Sequence, residues 1–221
     1  MKEQARSIFV VLLGMPGAGK GTQARLLVQC RGYIHISSGQ IFRDHVAQAT
    51  EFGRLAADYM AQGKIGPDDV IVKMSLEKVT HPPAPGYIFD GVPRNIAQAH
   101  LLDEGLGAIN ACVHRAVYLR LSEKESIHRL LSRIVCERCG EPFDIDNAGQ
   151  DARCTRCGGS VVRRGDDNRE TIRKRVAVYN TETRPVVNYY KERGLLAPVD
   201  ASQAAPAVHE AILEAIDSSS S

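Results

Sequence analysis

The chain has 221 residues, 43% of them hydrophobic and 24% charged, which allows one sizeable α/β core and excludes a disordered protein. Its formal net charge of +2 excludes a strong basic field that would attract nucleic acid or an acidic membrane surface. The longest early apolar run, Ile8–Leu13, is too short for a secretion signal or a membrane span, so we expect a cytoplasmic protein without nucleic-acid or membrane partners.

Short apolar strands alternate with helical patterns along the chain. The predicted strands are Ile8–Leu13, Tyr33–Ile36, Tyr87–Asp90, Ala116–Leu121 and Leu196–Val199. The predicted helices are Lys20–Arg31, Pro67–Val79, Asn95–Glu104, Ser122–Arg133 and Asn168–Arg193. This alternation indicates an α/β fold with a doubly wound, parallel five-stranded sheet, whose ligands bind beyond the carboxyl ends of the strands.

Two insertions interrupt this pattern, and both are too poor in apolar residues to form a large core of their own. We therefore predict a core domain of residues 1–36, 67–131 and 168–221 with two small subdomains hinged on it. Residues 37–66 hold two short helical patterns and form the first subdomain. Residues 132–167 form the second, whose middle, from about Ile134 to Arg163, is loop-like and carries cysteines.

A glycine-rich segment, Gly14 to Thr22, directly follows the first strand and opens the first helix. This pattern predicts a phosphate-binding P-loop, because backbone N–H groups and the positive end of the helix dipole converge on one point. Lys20 adds a mobile positive charge that can follow the β- and γ-phosphates. Gly21 holds the place where most P-loops carry the Ser or Thr that binds magnesium, and Thr22 comes one residue later.

The second insertion carries two Cys-x-x-Cys pairs separated by fourteen residues: Cys136, Cys139, Cys154 and Cys157. This spacing predicts a structural zinc site, since four thiolates fill a tetrahedron and leave no place for a reactive water. Disulfides are the alternative, which a reducing cytosol disfavours. A redox pair is less favoured still, because neither pair opens a helix after a strand. We expect the remaining cysteines, Cys30 and Cys112, to be buried packing residues.

The glycine-rich run, which continues through Thr22-Gln23-Ala24, resembles that of the nucleoside monophosphate kinases, and most closely that of the adenylate kinase family with a long zinc-binding lid. Further segments match in order and spacing: Ser37–Arg43, Asp90–Arg94, and Arg164–Asp167 followed by Glu170, Thr171 and Arg175. The resemblance extends from about Ile8 to about Val208. It implies a monomeric enzyme that reversibly transfers a phosphoryl group from Mg²⁺-bound ATP to AMP, giving two ADP, with a Zn²⁺-bearing lid whose closure excludes water.

The resemblance also assigns site residues. ATP-binding positions are Gly17, Ala18, Gly19, Lys20, Gly21, Thr22, Arg129, Arg133 and Phe143. AMP-binding positions are Ser38, Arg43, Lys64, Gly66, Gly91, Arg94, Gln98, Arg164 and Arg175, with Gln98 on the adenine. Catalytic positions are Lys20, Asp90, Arg94, Arg133, Arg164 and Arg175, with Asp90 orienting magnesium through bound waters. Arginines suit this chemistry because their planar forks bind phosphate oxygens in pairs. Phe143 has two interpretations, a cover for the ATP adenine or part of a small core in the lid.

Several positions depart from the family pattern. Gln40 stands where Asp is usual near the magnesium waters, so we expect weaker magnesium positioning without loss of activity. Val92, Gly66, Ile134 and Ser132 are also unusual and bear on substrate selectivity.

Three other functions fit the sequence less well. A kinase of the same fold that acts on UMP, CMP or GMP is disfavoured by Gln98 and the long lid. A P-loop module that binds nucleic acid through its zinc ribbon is disfavoured because residues 141–150 carry three acidic residues and one aromatic. A GTPase switch is disfavoured because no Asn-Lys-x-Asp segment occurs in the sequence.

Overall fold

The computed structural model describes residues 7–54, 59, 67–80, 84–145 and 153–218. Its strands are β1 (Ile8–Gly14), β2 (Ile34–Ser37), β3 (Gly86–Asp90), β4 (Arg115–Arg120), β5 (Arg133–Cys136), β6 (Pro142–Asp144), β7 (Val161–Arg163) and β8 (Leu196–Asp200). Five of them form a parallel sheet in the order β2-β3-β1-β4-β8. The predicted doubly wound sheet is confirmed, because the chain passes from β1 to the edge strand β2, returns through β3 to lie beside β1, and then crosses to β4 and β8 on the other side of β1.

The helices are α1 (Lys20–Arg31), α2 (Ser38–Ala47), α3 (Asp68–Leu76), α4 (Ile96–Gly107), α5 (Glu123–Ser132), α6 (Arg169–Val178), α7 (Arg184–Glu192) and α8 (Ala205–Asp217). The predicted single helix Asn168–Arg193 is instead two helices joined by a π-helical turn, Tyr179–Thr183. Pro185 lies in the first turn of α7 and has no N–H to continue the helical ladder. Helix α8 was not predicted as an element.

Alternating residues of β1 send side chains into two apolar layers, one on each face of the sheet. Val11 and Leu13 lie in the layer shared with α3, α4 and α7. Val10 and Leu12 lie in the opposite layer, shared with α1 and α8. Because a parallel strand is covered on both faces, its sequence reads as a continuous apolar run. This double burial fixes the strand ends, and therefore the loops that follow them, relative to the whole core.

The cysteine-bearing insertion contains an antiparallel sheet in the order β6-β5-β7. The expectation that this segment is loop-like was therefore wrong. Strands of three or four residues are too short to show the alternation that identifies a strand in sequence, and here the pairing is organised by the cysteine turns at their ends.

Among the described residues, no helix combines the length and apolar character needed to cross a membrane. The other insertion includes α2, but Lys64 and Gly66, both predicted to bind AMP, lie outside the described residues.

Candidate active site

The carboxyl ends of β1, β2 and β3 open into one cavity of about 1210 Å³. The motifs singled out in sequence meet there. Its walls include Gly17, Ala18, Gly19, Lys20, Gly21, Thr22, Arg43, Asp90, Gly91, Arg94, Arg129, Arg133, Phe143, Arg164 and Arg175. Most of the charged members are cations, so the cavity is suited to bind highly anionic ligands.

The glycine-rich loop is held by the lysine at its end and by a neighbouring helix. Lys20 Nζ donates to the carbonyl oxygens of Gly14 at 2.7 Å and Met15 at 2.9 Å. Ser126 on α5 donates from its hydroxyl to the carbonyl of Pro16 at 2.6 Å. Gly17 has φ +82°, and a Cβ there would lie 3.0 Å from the carbonyl oxygen of Ser126. The loop therefore needs glycine at this point both for backbone conformation and for the close approach of α5. Sequence reasoning did not point to Ser126.

Burial lowers the pKa of Lys20 from an ordinary 10.5 to about 8. The nearby Asp90 carboxylate opposes this shift, while Arg94, Arg175 and Arg133 lower the pKa further. The protonated form of Lys20 is therefore disfavoured, chiefly because the side chain is removed from water. A bound polyphosphate would supply negative charge and favour the protonated lysine.

Asp90 ends β3 and faces the start of α1. Its Oδ2 lies 3.2 Å from His35 Nε2 on β2, and a Cβ on Gly21 would lie 3.6 Å from the same oxygen. Burial alone would raise the pKa of Asp90, but the hydrogen bond to His35 and the charges of His35, Lys20 and Arg94 hold that pKa below its ordinary value. The carboxylate is therefore ionised and suited to accept hydrogen bonds from metal-bound waters. His35 was not predicted; the signal was a polar residue within a short buried strand.

A second polar corner of the site lies where β2 and β3 end. Ser38 donates from its hydroxyl to the Gly91 carbonyl at 2.7 Å, and Arg94 Nε donates to the same carbonyl at 2.7 Å. Arg94 Nη2 also lies 3.4 Å from the Ser38 hydroxyl oxygen. Gly91 has φ +79°, and a Cβ there would lie 2.6 Å from Ser38 Oγ. The Arg94 guanidinium is thus fixed by neutral oxygens that leave its charge available to a ligand.

Gln98 lies behind this corner and is fully buried. Its Oε1 accepts from the Arg94 backbone N–H at 2.7 Å, and its Nε2 donates to Asp68 Oδ1 at 2.9 Å. Asn95 Nδ2 donates to the same Asp68 oxygen at 2.9 Å. Gln98 therefore supports the backbone of Arg94, and its contact with adenine stays a prediction. Asp68 was not singled out in sequence.

Arg43 faces the cavity from α2. Its Nη2 and Nε donate to Gln40 Oε1 at 2.8 and 3.3 Å, and Gln40 Nε2 donates to Asp44 Oδ1 at 2.7 Å. Burial lowers the pKa of Arg43 to about 10, with the Arg164 charge as the next contribution. Gln40, expected to weaken magnesium positioning, has both ends of its amide engaged by neighbours on its own helix.

The lid and α6 contribute three arginines held by two adjacent carboxylates. Arg133 binds Asp167 in bidentate fashion, at 2.7 and 2.6 Å. Arg175 Nη1 lies 3.0 Å from Asp167 Oδ1, and Arg164 Nε lies 3.2 Å from Asp166 Oδ1. Burial alone would raise the pKa of Asp166, but these cations lower it overall. Both aspartates belong to the segment Arg164–Asp167 that resembles the family motif. Their contacts with the three arginines were not predicted from the sequence.

The four predicted metal ligands come together in the lid. Their sulfur atoms all lie within 4.8 Å of one another, and two of the pairs are 3.5 Å apart. A tetrahedral zinc ion with bonds of about 2.3 Å needs sulfur separations of about 3.8 Å, so the cluster fits this ion. Each pair sits on a tight turn in which Gly140 or Gly158, with φ +69° and +71°, donates its N–H back to the first cysteine of that pair.

The cysteines outside the cluster differ from expectation. Cys30 and Cys112 are both exposed, so their assignment as buried packing residues was wrong. Cys30 lies in the last turn of α1, where Sγ is 3.5 Å from His209 Nε2 on α8, and Cys112 lies in the connection before β4. Cys30 follows Leu27 at a helical spacing of three residues, but Leu27 is buried and Cys30 is not, so this spacing did not show the orientation of the cysteine.

Two further residues that were predicted to bind ATP complete the lining. Arg129 donates from Nε to Glu125 Oε1 at 2.8 Å and from Nη1 to the Ala201 carbonyl at 3.0 Å. Phe143 pairs with Ile134 across β5 and β6 and also lines the cavity. Both interpretations of Phe143 therefore stay open.

A parallel α/β sheet with a P-loop, a cavity walled by arginines and a carboxylate beside the loop lysine defines a nucleotide-binding phosphotransferase. The adenylate kinase family model matches residues 12–195. An adenylate kinase of Moorella thermoacetica is 40% identical over 210 residues, covering 94% of this chain and 97% of the relative. Adenylate kinases of Archaeoglobus fulgidus and Streptomyces coelicolor are 38% and 39% identical, covering 95% and 94% of this chain and 99% and 97% of their own lengths.

The chain therefore belongs to the adenylate kinase family, and it is an enzyme that transfers a phosphoryl group between ATP and AMP. The family uses Mg²⁺ with ATP.

Proposed function

We propose that the cavity divides into a donor half at the P-loop and an acceptor half at the ends of β2 and β3, with phosphoryl transfer between them. The observation that carries this proposal is that one cavity joins two separately held sets of groups: Lys20 bound to the glycine-rich loop, and Arg94 bound at the ends of β2 and β3. Two polyanions repel each other, so bringing them within bonding distance is mainly a matter of positioning and charge neutralisation.

In the donor half, the backbone N–H groups from Gly17 to Thr22 bind the ATP phosphates, and Lys20 follows the transferring group. Arg129 and Arg133 bind the same phosphates from α5 and the start of β5, and Phe143 borders the base. Asp90 would hold the waters of the Mg²⁺ that ATP brings, and that ion would supply neutralisation of the phosphate charge.

In the acceptor half, Arg43 and Arg94 bind the AMP phosphate, and the backbone around Ser38 and Gly91 shapes the floor. The contact of Gln98 with the adenine edge is assigned from the family resemblance, since this side chain is fully buried behind Arg94. Lys64 and Gly66 are assigned to AMP from the family resemblance alone.

Arg164 and Arg175 act on the transferring group when the lid closes. Their contacts with Asp166 and Asp167 hold them in place, and nucleotide phosphates would compete for the same forks. Closure excludes water, which prevents wasteful hydrolysis of ATP.

Cys136, Cys139, Cys154 and Cys157 hold a structural Zn²⁺ that makes the lid one stiff unit. The ion supplies folding free energy that the small three-stranded sheet lacks. We further infer a core of residues 1–36, 67–131 and 168–221, with hinged units at 37–66 and 132–167, in a cytoplasmic monomer.

The division of the cavity is tested by steady-state kinetics of matched arginine variants. Arg94→Lys keeps the charge but loses the fork, so we expect the KM for AMP to rise about tenfold or more while the KM for ATP changes little. Arg129→Lys should raise the KM for ATP and leave the KM for AMP nearly unchanged. Arg173→Lys, on the exposed side of α6, is the control. Variants that raise both KM values equally would contradict the division.

A further inference from the structure

Glu141 joins parts of the chain that are far apart in sequence. It follows the first cysteine turn at Gly140 and directly precedes β6. Its Oε1 lies 3.3 Å from Arg25 Nη2 on α1 of the core. Its Oε2 lies 3.7 Å from Arg156 Nη1, between the two cysteines of the second pair. One oxygen of the Glu141 carboxylate therefore contacts the core, and the other contacts the turn that carries the second pair of cysteines.

Arg25 continues this chain of contacts into the P-loop. The same Nη2 atom lies 3.5 Å from the hydroxyl oxygen of Thr22, at the start of α1. Both Thr22 and Arg25 line the cavity, as do Gly140 and Pro142 on either side of Glu141. Glu141 of the lid thus contacts Arg25, and Arg25 contacts Thr22 at the end of the P-loop.

The burial of these side chains distinguishes this bridge from an ordinary surface ion pair. The side chains of Arg25 and Glu141 are 25% and 24% exposed, whereas that of Arg156 is 56% exposed. Water and salt screen a partly buried pair less than an exposed one. The contact with Arg25 is therefore the stronger of the two.

The backbone of the cysteine turn fixes where the Glu141 side chain starts. The Glu141 carbonyl accepts the N–H of Cys136 at 2.8 Å, so the residue is positioned by the same turn that presents two of the sulfurs. The Glu141 carboxylate thus contacts Arg25 from a backbone position that the folded cysteine turn holds.

We propose that Glu141 is a positioning residue for the donor half of the site. Its contact with Arg25 holds the lid against α1 and keeps the Arg25 guanidinium beside Thr22. The part of the cavity that binds ATP is therefore already in place before the nucleotide arrives. This inference rests on the proposed division of the cavity. It assigns no contact between Glu141 and substrate, and it predicts an effect on ATP that AMP does not share.

The test is a double-mutant cycle of Glu141→Gln and Arg25→Gln in the full-length, zinc-loaded enzyme. Glu141→Gln should raise the KM for ATP about three- to fivefold, the size expected of a partly exposed ion pair, and leave the KM for AMP and kcat nearly unchanged. The double variant should be no worse than Arg25→Gln alone, because both changes remove the same contact. The difference in the KM for ATP between the wild type and Glu141→Gln should decrease as KCl is added, because salt screens the ion pair.

The matched control is Glu170→Gln, which removes the same charge from a pair with Lys174 at 2.6 Å whose glutamate is 78% exposed. Zinc content and melting temperature are measured for every variant. The proposal is overturned if Glu141→Gln behaves like the control, if it raises both KM values alike, if the two single effects multiply, or if the KM for ATP rises only in preparations that have lost zinc. Failure of the cavity division is recognised separately, because the Arg94 and Arg129 variants leave Glu141 intact.

Discussion

We expect the charge of Lys20 to destabilise the folded enzyme when no nucleotide is bound. Lys20 is half-buried, and its pKa is lowered from 10.5 to about 8, chiefly by burial. At about 1.4 kcal/mol per pH unit, this difference means that the charged lysine costs the folded state about 3 kcal/mol at neutral pH. Replacing it with Met removes the charge and keeps the length of the side chain. Removing the charge removes this cost, but the variant also loses the hydrogen bonds to Gly14 and Met15, which stabilise the wild type by about 1–2 kcal/mol. We therefore expect Lys20→Met to be more stable than the wild type by about 1–2 kcal/mol at pH 7.

The pH dependence follows from the direction of this shift. Below about pH 8, Lys20 is protonated in both the folded and the unfolded chain, and the full cost is present. Between about 8 and 10.5 the unfolded chain binds more protons than the folded one, so the free energy of unfolding rises with pH. The wild type should therefore gain about 3 kcal/mol relative to Lys20→Met across this interval, because methionine does not titrate.

Urea unfolding of both proteins at several pH values from about 7 to 10 measures this difference. The contributions of the other titrating groups to the free energy of unfolding cancel when the two proteins are compared at the same pH. The same variant should lose at least about a hundredfold in kcat/KM, since the lysine charge acts on the transferring phosphates. A stability difference that does not change between pH 8 and 10 would refute the assignment of a lowered pKa to Lys20.

Three further predictions concern the metals and the loop. Chelating zinc, or the substitution Cys154→Ser, should lower the melting temperature and expose the lid to protease first; an unchanged melting curve after verified zinc loss would exclude a structural metal. Gln40→Asp places a carboxylate near the phosphates, so the Mg²⁺ concentration for half-maximal activity should fall, and a magnesium titration that matches the wild type would contradict this. Gly17→Ala should destabilise the fold by about 1–3 kcal/mol in chemical unfolding, because φ is +82° and the added Cβ lies 3.0 Å from a carbonyl oxygen. Gly21→Ala, whose Cβ meets only Asp90 at 3.6 Å, should cost less, and equal costs would show that the loop conformation is not the cause.

Much of the core could be predicted because its signals are local. The strand Ile8–Gly14 is buried on both faces and therefore reads as an unbroken apolar run. The lid strands could not be predicted, since a segment such as Val161–Arg163 has only three residues. The interruption of the long helix was visible only as Pro185, and a proline in a helical pattern does not show whether the chain kinks, ends or forms a wider turn.

The site divides in the same way between local and distant determinants. Loop residues such as Lys20 could be predicted because their roles follow from a contiguous motif. The roles of His35 and Ser126 could not, because their partners lie 55 and 110 residues away in sequence. Likewise, whether Cys30 faces the core or solvent depends on how α1 is oriented against α8, which no local pattern specifies.

The most direct test of the account is product formation from Mg-ATP offered separately with AMP, UMP, CMP, GMP or no acceptor. The account predicts rapid ADP formation with AMP, much slower reaction with the other monophosphates, and almost no ATP hydrolysis when the acceptor is absent. Faster transfer to a different monophosphate would contradict the assignment of the acceptor half. Rapid hydrolysis without an acceptor would contradict the claim that water is kept from the donor phosphates.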